Sequence, residues 1–283
     1  MSDLTMPTPR NYGWVLKPTS STQFEIINRD NGQFCVVLNH ALLRGVTAEM
    51  IHWWFLNFPN LRVRLRDVPQ YEGSTVPGYL LWHPSDHINA TLSGSLGPGG
   101  TSRAGASIGI QEAMQYERYG LTYPVDTTLK ILYCEPDGWS MGKVLPIMGK
   151  AMVLSIRYQD VVRDGVHMGV HYHYEIVVGV SGRDPVSKAL NRKITGDYTT
   201  DFFSAWHTHN AIEVGTFENF LPALWAQRSK PDDLQYGPDM NAAPDGALSQ
   251  TAQGPDLFAR RTAGYRSARN PYEHQNAEGS LAF

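Results

Sequence analysis

Near the end of the chain, the run from Ser204 to about Gln227 carries apolar residues at helical spacing, with Trp206, Ile212, Phe217, Phe220, Leu221 and Leu224 facing a core. A helix of that length needs a broad apolar surface to lie against. The segments before it supply strands with few long helices between them, which points to an α+β arrangement. Pro222 should kink the helix, because proline cannot donate to the carbonyl four residues back. Within the run stands His207-Thr-His-Asn-Ala-Ile-Glu213. On a helix His209 and Glu213 project from one face about one turn apart, so an imidazole and a carboxylate can share one metal ion. The alternative is a polar turn facing water. A metal site needs further ligands from elsewhere in the chain.

Length and charge narrow the classes of function. The 283 residues, 42% hydrophobic with seven tryptophans, suffice for one large domain with a tail. A net charge of -3 offers no basic stripe for nucleic acid, and no apolar stretch is long enough to span a membrane. The start, Met1-Ser-Asp-Leu-Thr-Met-Pro, has neither the basic nor the apolar region of a secretory signal. Cys35 and Cys134 alone do not make a disulfide framework, so a cytoplasmic location is expected. Small-molecule chemistry is the remaining class.

In chain order, residues 1 to about 22 are rich in Pro, Thr and Ser and are expected to wrap the surface. Strands follow at Phe24–Asn28 and Phe34–Leu38, separated by an Asp30-Asn-Gly32 turn. Thr47 can cap an apolar helix through Leu56, in which His52 reads as a core histidine. Leu61 to Arg66 alternates as a half-buried strand with Arg62, Arg64 and Arg66 on its wet face. A short apolar strand from Gly78 then runs into Trp82-His-Pro-Ser-Asp-His87, a dense set of potential ligands. His83 and His87 compete for the ligand role, and Asp86 can orient either imidazole. After a Gly/Ser/Pro loop at 93–105, a strand at 106–114 places Glu112 on the same face as Ile108 and Ile110. An inward carboxylate is costly unless a cation or partner meets it, which favours Glu112 over Glu117. Strands at 125–133 and 151–158 flank a Gly/Pro/Met-rich turn region.

Val170 to Val178 alternates again, with His171, His173 and Glu175 on one face and Tyr172, Tyr174 and Ile176 on the other. Gly165 followed by His171-x-His173 imitates the start of a cupin metal motif, but the expected glutamate is Val177 or Val178. These histidines are read either as the open face of an antiparallel sheet or as catalytic groups. Residues 183–196 form a loop or short helix. From Ser229 to Phe283 the chain is dominated by Pro, Gly, Asp, Asn, Gln and Ala. It reads as an extended tail lying over a 1–228 domain, or over a second copy in a homodimer.

Four stretches together resemble the 2,4-diacetylphloroglucinol hydrolase family, which includes phloretin hydrolases. They are the helix entry with Trp53-Trp54-Phe55, then Trp82-His-Pro-Ser-Asp-His87, then Gly105-Ala-x-Ile-x-Ile-x-Glu112, and last His209-x-x-x-Glu213 with Phe-Leu-Pro-x-Leu-Trp225. The likeness spans roughly residues 34–226. It implies a Bet v 1-like helix-grip fold, in which a curved antiparallel sheet surrounds a long C-terminal helix. It also implies zinc held by His87, Glu112, His209 and Glu213, and cleavage of the carbon–carbon bond between a phenolic ring and an acyl group. Tyr79, Asn89 and Tyr172 are then the candidate substrate contacts. The family's further catalytic histidine falls at Arg157, which cannot act as a base at neutral pH, or on the 171–173 strand.

The resemblance thus gives an expectation of a Zn2+-dependent hydrolase acting on a small acylated phenol, with Glu112 in the catalytic set. His173 or His171 would supply the proton to the leaving ring carbon. Two other readings differ in class. A helix-grip protein could bind or cyclise a polyketide without hydrolysis, and a cupin-like oxygenase would hold iron at His171 and His173.

Overall fold

The structure, a computed structural model, describes residues 9–116, 121–196 and 198–241. The chain order is β1 (Thr22–Asn28), β2 (Phe34–His40), α1 (Ala48–Asn57), β3 (Arg62–Leu65), β4 (Thr75–Pro77), α2 (Tyr79–Trp82), β5 (His87–Ser93) and β6 (Ser107–Tyr116). It continues through β7 (Leu121–Glu135), β8 (Gly138–Leu145), β9 (Gly149–Arg163), β10 (Val166–Val178), α3 (Pro185–Thr195), α4 (Thr200–Gly215), α5 (Phe217–Ala226) and β11 (Leu234–Tyr236). Eight strands make an antiparallel sheet in the order β1-β2-β10-β9-β8-β7-β6-β5, and β11-β3-β4 form a small second sheet. Helices α1 and α4 pack on one face of the large sheet, α1 against β7, β8 and β9 and α4 against β6, and α5 packs against both helices. This is the expected helix-grip architecture: an antiparallel sheet around a C-terminal helix.

Local chemistry explains the element ends. Asp164 and Gly165 both adopt positive φ, at 51° and 77°, between the paired residues Arg163 and Val166. That conformation makes the two-residue turn whose twist matches a hairpin, and Asp-Gly is a strong signal for it. The glycine that imitates a cupin motif is therefore a hairpin turn. Thr47 and Thr199 cap α1 and α4 by accepting from Met50 N and Phe202 N.

The long helix breaks at Thr216 rather than at Pro222, which lies inside α5. Thr216 is held there by a hydroxyl that bonds the carbonyls of Trp82 (2.8 Å) and Glu213 (2.7 Å). Beside it, Gly215 leaves room for the Lys17 side chain, since a Cβ there would lie 2.8 Å from Lys17 Cδ.

Aromatic rings fill the space between α1, α5 and the sheet. Trp54 meets Phe220 at 5.0 Å between ring centroids, and Phe55 stacks on Trp139 at 5.1 Å. All four rings are buried. Truncating one such ring to alanine costs about 3–5 kcal/mol.

Four expectations from sequence need correction. The stretch after Gly78 is a helical turn, not a strand: Tyr79, Leu80, Leu81 and Trp82 are all buried, so no alternation operates. Gly78 seats the turn against Leu61, where a Cβ would come within 2.8 Å of Leu61 Cβ. The supposed turn region between two strands contains β8, whose Trp139 and Met141 alternate inward among glycines that mimic a turn. The N-terminal segment does not merely wrap the surface, because Arg10, Tyr12 and Lys17 are buried. Finally, β11 pairs in parallel with β3, and Trp14 Nε1 donates to the buried Tyr236 hydroxyl at 2.8 Å. The folded body therefore extends past 228 to at least Asn241. Residues 242–283 of the expected tail lie outside the described residues.

Candidate metal centre

Three elements bring four candidate ligand side chains together, of which His87, Glu112 and His209 have ligand atoms all within 4.8 Å of one another. His87 opens β5 and stands opposite Glu112 on the neighbouring β6, while α4 packs on β6 and carries His209 and Glu213. His87 Nε2 lies 3.5 Å from Glu112 Oε2 and 3.5 Å from Glu213 Oε1. His209 Nε2 lies 3.7 Å from Glu112 Oε2 and 4.0 Å from Glu213 Oε2. The expected i, i+4 geometry on the helix is present, and the sheet supplies the other two groups.

The backs of the ligands are fixed. His209 Nδ1 bonds Asp86 Oδ2 at 2.9 Å, and His87 Nδ1 bonds the Tyr79 carbonyl at 2.9 Å. In the neutral rings a proton on each Nδ1 leaves each Nε2 as a lone-pair donor pointing into the cluster, the arrangement that metal-binding histidines adopt. The Tyr79 hydroxyl donates to Glu112 Oε2 at 2.9 Å, and its ring stacks on His87 at 3.9 Å. Asn210 Nδ2 donates to Glu213 Oε2 at 3.2 Å, while its Oδ1 meets His40 Nε2 at 2.9 Å. His40 must therefore carry its proton on Nε2. His40 and Asn210 escaped the sequence reading, because a contact across 170 residues leaves no local pattern.

The two histidines of the turn have different neighbours, and His83 forms with Asp86 and His209 a second group of possible ligands beside that of His87, Glu112 and His209. His83 Nδ1 accepts the amides of Ser85 (3.3 Å) and Asp86 (3.0 Å), and its ring stacks on His209 at 4.6 Å. It shapes the turn and backs His209, while His87 faces the cluster. Asp86 Oδ2 bonds His209 Nδ1 and also lies 3.5 Å from His83 Nε2, so it stands between the two stacked rings. Glu117 lies outside the described residues.

Electrostatics mark the cluster as suited to a cation. Burial opposes a charge on His209, but the Asp86 hydrogen bond and the Glu112 and Glu213 carboxylates outweigh it and raise its pKa to about 9. Burial pushes Glu213 up to about 7 and His87 down to about 3. His87 Nε2 is buried without a hydrogen-bond partner among the described residues, which is costly for a polar atom. Two inward Nε2 atoms and two carboxylates fit a divalent metal with N/O preference, such as zinc.

A cavity of about 60 Å³ adjoins the cluster, lined by Glu112, His209 and Glu213 together with Tyr79, Tyr172, Tyr174, Trp139 and Trp206. Tyr79 and Tyr172, the expected substrate contacts, both line this cavity. Tyr174 and Trp206 were not singled out from sequence, although Tyr174 follows from the same alternation as Tyr172.

Other expected site residues are placed elsewhere. His171 and His173 lie on the far face of the sheet, where His173 Nδ1 meets Asn39 Oδ1 at 2.7 Å. The alternation along β10 is as expected, but the helices cover its tyrosine face, since that is the face with apolar area to bury. Neither histidine borders the cavity. From that face they cannot deliver a proton to the cavity, and among the described residues they belong to no group of three potential metal ligands. Asn89 lies opposite Gln111 rather than in the cavity lining, because a register irregularity between His87 and Asn89 reverses the inward alternation. Arg157 is half-buried away from the cavity and pairs with Asp137 at 3.2 Å. Among the described residues no helix is long and apolar enough to cross a membrane.

The chain matches no family model and no curated protein sequence. Among solved structures it is similar to Ara h 8.0201, with 12% identity, a TM-score of 0.30, and coverage of 66% of this chain and 98% of the other. It is also similar to a protein of unknown function, SA2116 from Staphylococcus aureus, at 11% identity and a TM-score of 0.28, covering 64% of this chain and 96% of the other. Likeness of this degree carries no argument about function.

Proposed function

We propose that this chain is a zinc-dependent hydrolase that cleaves the carbon–carbon bond between a phenolic ring and an acyl group. The observation that supports it most is the convergence of His87, Glu112, His209 and Glu213 beside an aromatic-walled cavity. The net reaction adds water across the bond: hydroxyl goes to the acyl carbon to give an acid, and a proton goes to the ring carbon. A divalent cation on these four ligands supplies Lewis acidity to an acyl or phenolic oxygen and makes water nucleophilic at neutral pH.

The protein groups do the rest. Asp86 and the Tyr79 carbonyl keep both imidazoles in the tautomer that binds through Nε2. Burial holds the Tyr172 and Tyr174 hydroxyls well above their ordinary pKa, so they remain protonated and act as donors. Tyr172 lines the cavity. With His171 and His173 across the sheet, Tyr172 is the group we assign to donate toward the leaving ring. The planar walls of Trp139 and Trp206 suit an aromatic substrate.

One observation favours a second reading. Among the described residues no histidine other than His209 lines the cavity, so none of them supplies a histidine acid outside the ligand set. A helix-grip protein that binds or cyclises a polyketide would need none. The test is to measure zinc by mass spectrometry and acylphloroglucinol turnover before and after chelation. Turnover that vanishes on chelation and returns with zinc supports the hydrolase. A fully metallated sample that yields no acid from a panel of acylphloroglucinols and dihydrochalcones supports the binding protein.

A further inference from the structure

The concave side of the sheet holds a second, larger space next to the cluster cavity. It measures about 750 Å³ against about 60 Å³, and its walls include Leu129, Met152, Val178 and Phe202, with Lys143 and Lys193. The two spaces share no lining residue, but their linings follow one another along the same strands and helix. Lys143 pairs with Met152 on β8 and β9, and two residues along, the inner pair is Met141 with Leu154. On β7, Thr127 of the outer space pairs with Ile110 of the inner one. On α4 the Phe202 ring lies 5.6 Å from Trp206, which lines the inner cavity. The large space thus lies beside the inner cavity on the same face of the sheet, and we call it the vestibule.

The sizes force a division of labour. A space of about 60 Å³ has room for little beyond the reacting end of a molecule, whereas ligand sites usually run to about 300–1,000 Å³. From His209 back to Phe202 is seven residues of helix, roughly 10 Å, the span of a medium-length chain. The vestibule walls are mainly apolar, yet Lys143 and Lys193 both line it and are exposed. Neither forms an ion pair among the described residues, and among those residues Asp126 is the one acidic group on the lining. Its charge balance favours an anion.

We propose that this vestibule binds an apolar arm ending in an anionic group, with Lys143 and Lys193 meeting the anion. Resting on the hydrolase reading above, the arm is the acyl side of the substrate, so the released product is a chain with an acid at each end.

Calorimetry with dodecanoate and with dodecanol, on the zinc-loaded protein, tests the site without any turnover. Dodecanoate should bind about tenfold more tightly than dodecanol. Joint Lys143→Glu and Lys193→Glu changes should remove that preference while leaving dodecanol unaffected, on the scale of two rim charges. Leu145→Trp, which fills part of the vestibule at a half-exposed position, should weaken both probes about tenfold with zinc content and circular dichroism unchanged. Equal binding of the two probes, or affinities indifferent to all three substitutions, overturns the proposal.

Hydrolysis of acetylphloroglucinol and of its ω-carboxydecanoyl analogue separates the two readings. A kcat/KM at least tenfold higher for the analogue, lost in the double lysine variant, supports the acyl-arm assignment. Hydrolysis of the acetyl compound with no probe binding overturns the vestibule and spares the hydrolase. The expected probe pattern without any hydrolysis overturns the hydrolase and supports the anionic-arm site.

Discussion

His209 on α4 and His173 on β10 are both candidate catalytic histidines with a glutamate close by in sequence, Glu213 and Glu175, yet one reaches the cavity and the other faces away from it. The helix fixes its pair: residues four apart share a face whichever way the helix is turned, and α4 is buried on nearly every side from Phe203 to Gly215, so the pair is enclosed in any case. The strand fixes only that His171 and His173 share a face. Which face turns inward depends on the competing side chains, and Tyr172, Tyr174 and Ile176 have more apolar area to bury. A periodic pattern therefore groups residues reliably and orients them only when one face is plainly the more apolar.

The largest expected effect breaks this comparison open. His209→Ala should lose bound zinc and lower kcat/KM for an acylphloroglucinol by about a thousandfold or more, while His171→Gln and His173→Gln should each stay within about twofold. A severe loss in either strand variant, with metal retained, would return the proton donor to the far face. Next, Tyr172→Phe should lower kcat by about a hundredfold with KM and zinc content little changed, the scale of losing a general acid. Steady-state kinetics on the metallated variant decides it, and unchanged kcat would reduce Tyr172 to a wall. Asp86→Asn removes the carboxylate behind His209 and should weaken zinc affinity by about 10- to 100-fold in chelator competition. An unaltered affinity would mean that the backing of His209 is not needed for binding.

The smallest effect concerns His40, which burial holds neutral with a pKa lowered to about 3. Its folded pKa lies below the ordinary value of about 6.5, so the unfolded chain takes up a proton first as pH falls. Stability from this group is present above about pH 6.5 and is lost as pH falls toward 3. His40→Gln keeps a donor for Asn210 and removes the titration, so its thermal stability should fall less steeply over that window than that of the native protein. Parallel stability curves would contradict this.

Much of the fold was legible because local signals agreed with tertiary demands. Thr47 caps α1 where the sequence places it, and α4 carries His209 and Glu213 one turn apart. What could not be read depended on contacts far apart in the chain. Glycines beside Trp139 hid β8, because Gly142 is small for the sake of Met152 across the strand pair, not for a turn. The register irregularity that moves Asn89 out of the cavity has no sequence signature of its own, and neither does the His40 to Asn210 contact. The choice of His87 over His83 rests on two backbone amides that occupy His83 Nδ1, a detail of the folded turn.

The central claim is that His87, Glu112, His209 and Glu213 hold one divalent cation, and X-ray absorption on the zinc-loaded native protein tests it most directly. The account predicts about one zinc per chain, coordinated by nitrogen and oxygen at about 2.0–2.2 Å with an imidazole signature and no sulfur, and loss of that signal in Glu112→Gln combined with Glu213→Gln. A sulfur neighbour at about 2.3 Å, or the same signal surviving in the double variant, would contradict it.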